Sequence, residues 1–497
     1  MMKTKSIFFL LFLLLISPSF LVAQEFTAII KDSFSQKVIP FASIYLNSGS
    51  GVVSNEDGRF RLLYDTSKEK DSLFISCMGY RTLSIPFSLV KDSIFYLRPK
   101  TIELNSIILS NIQLNVKEIL KEIQKDIPDK YDMGFTEKKL FFRETGSQEF
   151  KVLEVKIKKT SITEFNQVFW DSTLSKIPKK NTWYNELTGN LKGNYNKKSQ
   201  KLEIFRALEL EDKKKTAIFE NIEKLFDTIL KENIKTSSYF KVRSGIIGGK
   251  VEGDKINTRS KDTLTLEQKN QKQKDDFLKS RKRVLSDMIS NLFDEEQLNL
   301  TILKKGFKYK FTQTDFTYLG DTPVYVIDFI PDENADYEGR LFVDADKLTL
   351  IRMEYKNIQP LRDFSMFGIS FKEDFREVVI QFKKTISGKY SLEYLDFNSS
   401  FEGGFNRSLV ITEKNKIVKG RNKQNLLKMN LNVANRNIQR YQLVVFENIP
   451  MDAKVFKAYE ENSNILPVNL TEYDSSFWEG YSIIEPNQAI KAYKVIK

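Results

Sequence analysis

The chain of 497 residues contains no histidine and one cysteine. Without histidine it lacks the commonest neutral-pH general base and the commonest catalytic zinc ligand. A zinc carboxypeptidase, a serine-histidine hydrolase and a cysteine-histidine protease are therefore excluded by inventory. With Cys77 alone, no intramolecular disulfide or cysteine metal cluster can form; its strand-like surroundings predict a small buried core residue. Phosphate-cradling loops are missing too, since Gly245 and Gly248-Gly249 lack the following Lys-Ser/Thr. Ser67-Lys68-Glu69-Lys70 has Ser-x-x-Lys spacing, but no Lys-Thr-Gly or Ser-Asp-Asn partner accompanies it. After the N-terminus, no stretch reaches the ~18 uninterrupted apolar residues that a membrane helix needs.

What is present is a globular composition, 41% hydrophobic and 29% charged, with 39 Phe and 20 Tyr that favour strands. The first residues read as a secretory signal peptide: Lys3 and Lys5, the apolar run Ile7 to Ile16, then Ser17-Pro18 and Leu21-Val22-Ala23, with cleavage expected after Ala23. An exported chain is thus expected. The net charge of +13 favours anionic partners, export argues against nucleic acid, and the lysines are scattered along the sequence, which reads as solvated faces.

Three alternating apolar runs stand between Ile39 and Tyr80: Pro40-Phe41-Ala42-Ser43-Ile44, Gly58-Arg59-Phe60-Arg61-Leu62 and Ile75-Ser76-Cys77-Met78-Gly79-Tyr80. Alternation of this length signals half-buried strands, and Asn55, Asp57 and Gly58 supply a tight turn between two of them. A small antiparallel sandwich is expected. The order of these motifs resembles the carboxypeptidase regulatory-like domain, a transthyretin-like seven-stranded sandwich common at the N-terminus of Gram-negative envelope proteins. That resemblance spans Glu25 to Pro99 and implies an accessory module that carries no chemistry itself. Phe141-Phe142-Arg143-Glu144 and the terminal Phe477-Trp478-Glu479-Gly480-Tyr481-Ser482-Ile483-Ile484-Glu485-Pro486 look like segments that accompany the sandwich in such proteins.

Downstream, Asn115 and Glu118 form a capping-box start to a helix carrying Val116, Ile119, Leu120, Ile123 and Ile127, which Pro128 is expected to stop. Val152, Val155, Ile157 and Val168-Phe169-Trp170 read as further strand. Two amphipathic helices follow, one with Ile218, Ile222, Leu225, Phe226 and Ile229 on its apolar face, the other with Phe277, Val284, Leu285, Met288 and Leu292. The polar run 248–274 between them reads as a mobile loop. From Phe307 onward, at least six alternating runs describe an antiparallel meander. Its run Tyr337 to Asp344, followed by Leu350 to Tyr355, is similar to the hairpin of periplasmic lipoprotein-carrier-like half-barrels. The acidic loop Asp332, Glu333, Asp336 and Glu338 lacks the Asp-x-Asp-x-Asp-Gly spacing of a calcium loop and reads as solvated.

The expected organisation is a signal peptide over 1–23, the regulatory-like sandwich over 24–100, a connector with an amphipathic helix over 101–130, and a large domain over 131–497. The fold class is mainly β with helices: a seven-stranded transthyretin-like sandwich plus a larger curved, half-barrel-like antiparallel domain packed with a few helices. No catalytic, cofactor or metal residue is assigned, and no cofactor is expected. The function expected is non-catalytic, a binding or scaffold role in the periplasm or at the periplasmic face of the outer membrane. Its partners would be envelope proteins or a hydrophobic or polymeric envelope component. Two alternatives stay open: a carrier of an acyl or lipid ligand, and a hydrolase using carboxylates alone. For the carrier, the apolar lining would be Phe307, Tyr309, Phe311, Ile351, Met353, Tyr355, Ile380 and Phe382, unless the two amphipathic helices fill that concavity.

Overall fold

Alternation in the first hundred residues builds two small sheets. The computed structural model describes residues 24–495 apart from 48–50, 65–70, 91–92, 101–114, 236, 246, 253–264, 295–296, 333 and 418–422. The expected leader, the Ser67–Lys70 match and most of the connector lie outside the described residues. The chain divides into two compact units, Met1–Pro99 with Ser475–Glu485, and Lys100–Asp474 with Pro486–Lys497.

In the first unit the strands are β1 (Gln24–Asp32), β2 (Ser43–Leu46), β3 (Gly51–Val53), β4 (Arg59–Tyr64), β5 (Ser72–Ser76), β6 (Leu83–Pro86) and β7 (Ile94–Leu97). They form sheets of order β4-β1-β7 and β3-β2-β5-β6. Ile30, Phe60, Leu62, Phe95 and Leu97 from one sheet and Ile44, Leu46, Leu73 and Ile75 from the other are buried. Phe26, Phe60 and Phe95 lie within 6.2 Å of one another, centroid to centroid. The pairing is not wholly antiparallel as expected, because β7 runs parallel to β1, with Ile29 opposite Ile94. No hairpin joins these two strands, so no tight turn sets their relative direction. Cys77 also departs from expectation: it sits one residue beyond β5 and is half-buried.

The turn before β4 is built as its residues dictate. Asn55 Oδ1 accepts the N–H groups of Asp57 and Arg59, both at 2.9 Å, and Gly58 adopts φ +68°. A Cβ at Gly58 would stand 2.7 Å from the Ile30 carbonyl oxygen. Gly58→Ala is therefore expected to destabilise this unit by about 1–3 kcal/mol, read as faster hydrogen exchange at β1 and β4. Exchange equal to wild type would show that the turn relaxes freely.

The terminal segment, expected within the large domain, counts instead with this unit. Trp478, Ile483, Ile484 and Glu485 are all buried. Glu485 Oε1 accepts from Arg61 Nε at 2.6 Å, and its backbone carbonyl accepts from Asn55 Nδ2 at 3.1 Å. The physical reason is a buried guanidinium on β4, which needs a carboxylate that the neighbouring strands supply only in part, through Glu25 at 3.4 Å.

The second unit carries β8 (Thr136–Thr160), β9 (Lys180–Gly193), β10 (Gln200–Leu210), β11 (Ser238–Ser244), β12 (Ile247–Glu252), β13 (Phe293–Asp294) and β14 (Gln297–Leu298). The meander follows as β15 (Tyr309–Leu319), β16 (Thr322–Pro331), β17 (Tyr337–Asp344), β18 (Thr349–Asn357), β19 (Arg362–Met366), β20 (Ile369–Lys384), β21 (Tyr390–Asn415) and β22 (Lys423–Pro450), with β23 (Val468–Leu470) last. Its helices are α1 (Val116–Ile123), α2 (Gln167–Lys176), α3 (Lys213–Asn233), α4 (Leu266–Ser290) and α5 (Ala453–Ala458), besides single helical turns.

One open sheet runs β15-β16-β17-β18-β20-β21-β22-β8-β9-β10-β23, with β11, β12 and β19 joined at the side; its two ends do not meet, so no barrel closes among the described residues. The register lines up a single apolar row across nine strands: Ile327, Leu341, Met353, Ile380, Leu395, Leu443, Phe142, Leu187 and Ala207. Each is at most 4% exposed, so this row is core. The molecule is thus a small sandwich and a large sheet with a few helices, antiparallel as its alternation predicts except that β23 runs parallel to β10 at the edge.

Local differences from the sequence reading have local causes. The capping box of α1 is present, with Glu118 N–H to Asn115 Oδ1 at 3.1 Å and the return bond at 2.8 Å. That helix ends at Ile123, however, and Pro128 opens the separate turn Ile127–Lys130. Asp126, at φ +54°, makes the break. Val168-Phe169-Trp170 belongs to α2, nucleated by Asn166 capping the Phe169 N–H; three residues are too few to separate a period of two from one of 3.6. The expected loop 248–274 is instead structured at both ends: Gly248 to Glu252 pair with β11, and α4 begins at Leu266 behind a Thr265/Gln268 capping box. Its polar first turns lie in solvent, where Glu, Gln and Lys form helix without an apolar face.

Candidate functional site

The eight residues expected to line an apolar groove do not form one. Ile351, Met353, Ile380 and Phe382 are each at most 3% exposed and belong to the core. Tyr309 is buried and, like half-buried Phe311, packs on Phe329. Tyr355 is half-buried against Tyr337, ring centroids 5.1 Å apart, and burial holds its hydroxyl pKa far above the ordinary value. Phe307 is 77% exposed, because it sits in the short turn Gly306–Lys308 ahead of β15 rather than in a strand. Around Phe382 the interior is filled by Tyr131 and Phe293, which contact its ring and each other. Helix α4, which leads directly into Phe293, buries Leu285 and Ile289 completely. On the opposite, polar side of the same strands, a shallow trough of about 510 Å³ is lined by Asp328, Arg340, Glu354 and Glu377, with Arg340 and Asp328 joined by two hydrogen bonds.

The apolar cavity lies elsewhere, on the far extensions of β8, β21 and β22. These strands outrun β9, leaving an open backbone edge on β8 beyond Glu149. Gln167 of α2 fills it as a strand would: its side-chain amide accepts from Ile157 N–H and donates to the Val155 carbonyl, both at 2.8 Å. That clamp lays α2 along the sheet. Helix α3 joins it, tied at its C-terminal end by Asn425 Nδ2, which donates to the Asn233 carbonyl at 2.9 Å.

Between these helices and the strands, Phe165, Phe169, Trp170 and Phe226 form a four-ring cluster in which every pair of centroids lies within 6.3 Å. Beneath them is a cavity of about 180 Å³ walled by Phe165, Trp170, Phe226, Leu230, Leu427 and Met429. Its polar corner is Glu413, 1% exposed. That carboxylate is saturated by the Lys235 N–H at 3.1 Å, the Ser238 hydroxyl at 2.5 Å and Asn425 Nδ2 at 2.8 Å. By contrast, the buried indole N–H of Trp170 has no acceptor among the described residues. A buried donor in that state costs about 1–3 kcal/mol.

The sequence brought Phe226 forward as a helix residue and Phe169 and Trp170 as strand residues, but could not bring them together. What escaped it were Phe165 and Gln167, which stand in a short run with no legible period. A group of metal-ligating side chains is not found among the described residues, and no described helix is long and apolar enough to cross a membrane.

No family model matches the chain, and no curated protein matches it. Among solved structures it is similar to MucB in complex with MucA(peri), at 7% identity and a TM-score of 0.15 over 64% of this chain and 94% of that one. A Pseudomonas aeruginosa MucA/MucB complex matches at 7% identity and 0.13, over 59% and 88%. A protein of unknown function from Bacteroides fragilis matches at 9% identity and 0.13, over 86% and 99%. Likenesses of this size carry no argument about function.

Proposed function

We propose that the chain is an exported, non-catalytic accessory protein of the cell envelope, whose large unit receives a small apolar group in the cavity under α2 and α3. The carrying observation is that cavity, with apolar walls and a saturated carboxylate at one corner. Apolar cavities of about 150 Å³ accept a single aromatic ring, so this one has room for a ring or a short acyl segment. Burying on the order of 150 Å² of apolar surface contributes about 4 kcal/mol before association costs, which limits the affinity to the millimolar range at best. The leader-like N-terminus and the resemblance of the first unit to a regulatory-like sandwich support the envelope setting. Against a carboxylate-only hydrolase, the buried carboxylates Glu186, Asp396 and Glu485 are bound to Arg143, Arg440 and Arg61 as structural counter-ions.

Octanoate titration should quench or shift Trp170 emission saturably, and Met429→Trp, which fills the cavity, should abolish the response while the far-ultraviolet spectrum stays unchanged. Leu230→Phe provides a milder filling variant expected to weaken binding. If neither octanoate nor a single-ring ligand such as indole shows saturable binding to the wild-type chain, the carrier reading is wrong.

A further inference from the structure

The lysines that look scattered in the sequence are gathered by strand register. On the sheet face opposite the aromatic cluster, β12, β11, β21, β22 and β8 lie side by side. Lys241, Arg243, Lys414, Lys428, Lys156 and Lys159 share this face by alternation from their register partners. None of the six is in an ion pair among the described residues. Two like-charge pairs stand directly across from each other, Lys241 against Lys250 and Lys428 against Lys159, an arrangement that destabilises a sheet. Of the acids here, Glu252 is already held by Lys250 at 2.5 Å and Lys416 at 2.8 Å; those bonds lower its pKa to about 2. Glu154 accepts from Asn432.

A neighbouring row shows that this excess is no general habit of the sheet. There Asp363, Lys372, Glu402, Arg436 and Glu149 face one another on five successive strands with strict alternation of sign. Among the described residues, the distal end of the same strands carries an excess of positive charge over its two carboxylates, Glu252 and Glu154.

We propose that this face docks on an anionic lipid surface. Its chemistry favours delocalised charge over a pocketed ligand. Five of the six unpaired cations are lysines, compact point charges rather than the planar forks that grip single phosphates or carboxylates. The ring of Tyr239, on the same face, is capped by Lys250 Nζ at 4.4 Å from its centroid, so it offers no stacking platform for a sugar or base. Five adjacent strands span about 19 Å, a flat array that a plane of headgroups can neutralise at many points together. The opposite face is occupied by α2 and α3, so docking leaves the cavity unobstructed.

The test is co-sedimentation of the full chain with phosphatidylcholine vesicles with and without 30% phosphatidylglycerol. Comparing the two compositions discounts any apolar insertion common to both. Binding should require the anionic lipid, fall steeply with added salt, and drop about a thousandfold in the quadruple variant Lys156→Gln, Lys241→Gln, Lys414→Gln, Lys428→Gln. A variant of equal charge loss on other exposed lysines, Lys37→Gln, Lys117→Gln, Lys305→Gln, Lys454→Gln, should bind as wild type. Equal loss in both variants, absence of binding, or tighter binding to heparin or single-stranded DNA than to vesicles would each overturn the proposal.

Discussion

Replacing Trp478 with alanine should unfold the N-terminal sandwich at markedly lower denaturant, by about 3–5 kcal/mol. Trp478 is among the largest fully buried side chains of the molecule, and its ring packs edge-on against Phe477 at 4.9 Å. It also anchors the return segment that delivers Glu485 to Arg61. Glu485→Ala should cost a similar amount by a different route, leaving a guanidinium that is 7% exposed with the Ser475 carbonyl at 3.4 Å and the 33% exposed Glu25 as its only carboxylate among the described residues. Combining Glu485→Ala with Arg61→Met should recover part of the loss, because removing both charges removes the uncompensated one. The chain has two units, so a single global midpoint is not the right measure. Hydrogen exchange at β1 and β4 should report the loss, while β20 to β22 keep their protection. If exchange rises equally in both units, or the double variant is no better than Glu485→Ala, the return segment is not what holds the sandwich.

This clasp marks where sequence reasoning stopped. The turn of Asn55 and Gly58 was legible because each residue acts on its own neighbours, but Asn55 also holds a carbonyl 430 positions away. No local pattern encodes that. In the same way the meander from Tyr309 to Tyr394 was legible as successive hairpins with one buried face. The reach of β8, β21 and β22, at 25, 26 and 28 residues, was not. Their outer halves leave the main core and bury one face in a second cluster, with Val155, Leu427 and Met429 against Phe165 and Ile229, so the alternation there does not say what covers it. The aromatic cluster and the basic face both lie on those halves. Each is assembled by register between strands far apart in sequence, which is why Trp170 could be read without its partners and Lys428 without Lys159.

Lys138 gives a pH effect expected of the large unit between pH 8 and 10. It is 2% exposed on β8, donates to the Thr136 hydroxyl and has its Nζ 5.2 Å from the Tyr195 ring centroid. Burial lowers its pKa from 10.5 to about 8, with Asp132 opposing the shift in small part. At pH 7 the ammonium is mostly charged in both folded and unfolded chains, and the folded one carries the desolvation cost. As pH rises from 8 towards 10.5, the folded chain releases the proton first, the unfolded chain binds more protons, and stability rises. The full change is on the order of 3 kcal/mol. Tyr195 sets the upper limit: burial pushes its pKa up to about 12, so above pH 10 the unfolded phenol ionises while the folded one does not, and stability falls. The stability of this unit should therefore peak near pH 10. Lys138→Met keeps the length and removes the charge, so it should be more stable than wild type at pH 7, with the difference narrowing from pH 8 upward and closing only above pH 10.5. Urea unfolding in a Trp478→Phe background isolates this unit, because Trp170 and Trp183 then supply all the tryptophan emission. Parallel pH profiles for wild type and Lys138→Met would show that water reaches the ammonium and that its burial carries no such cost.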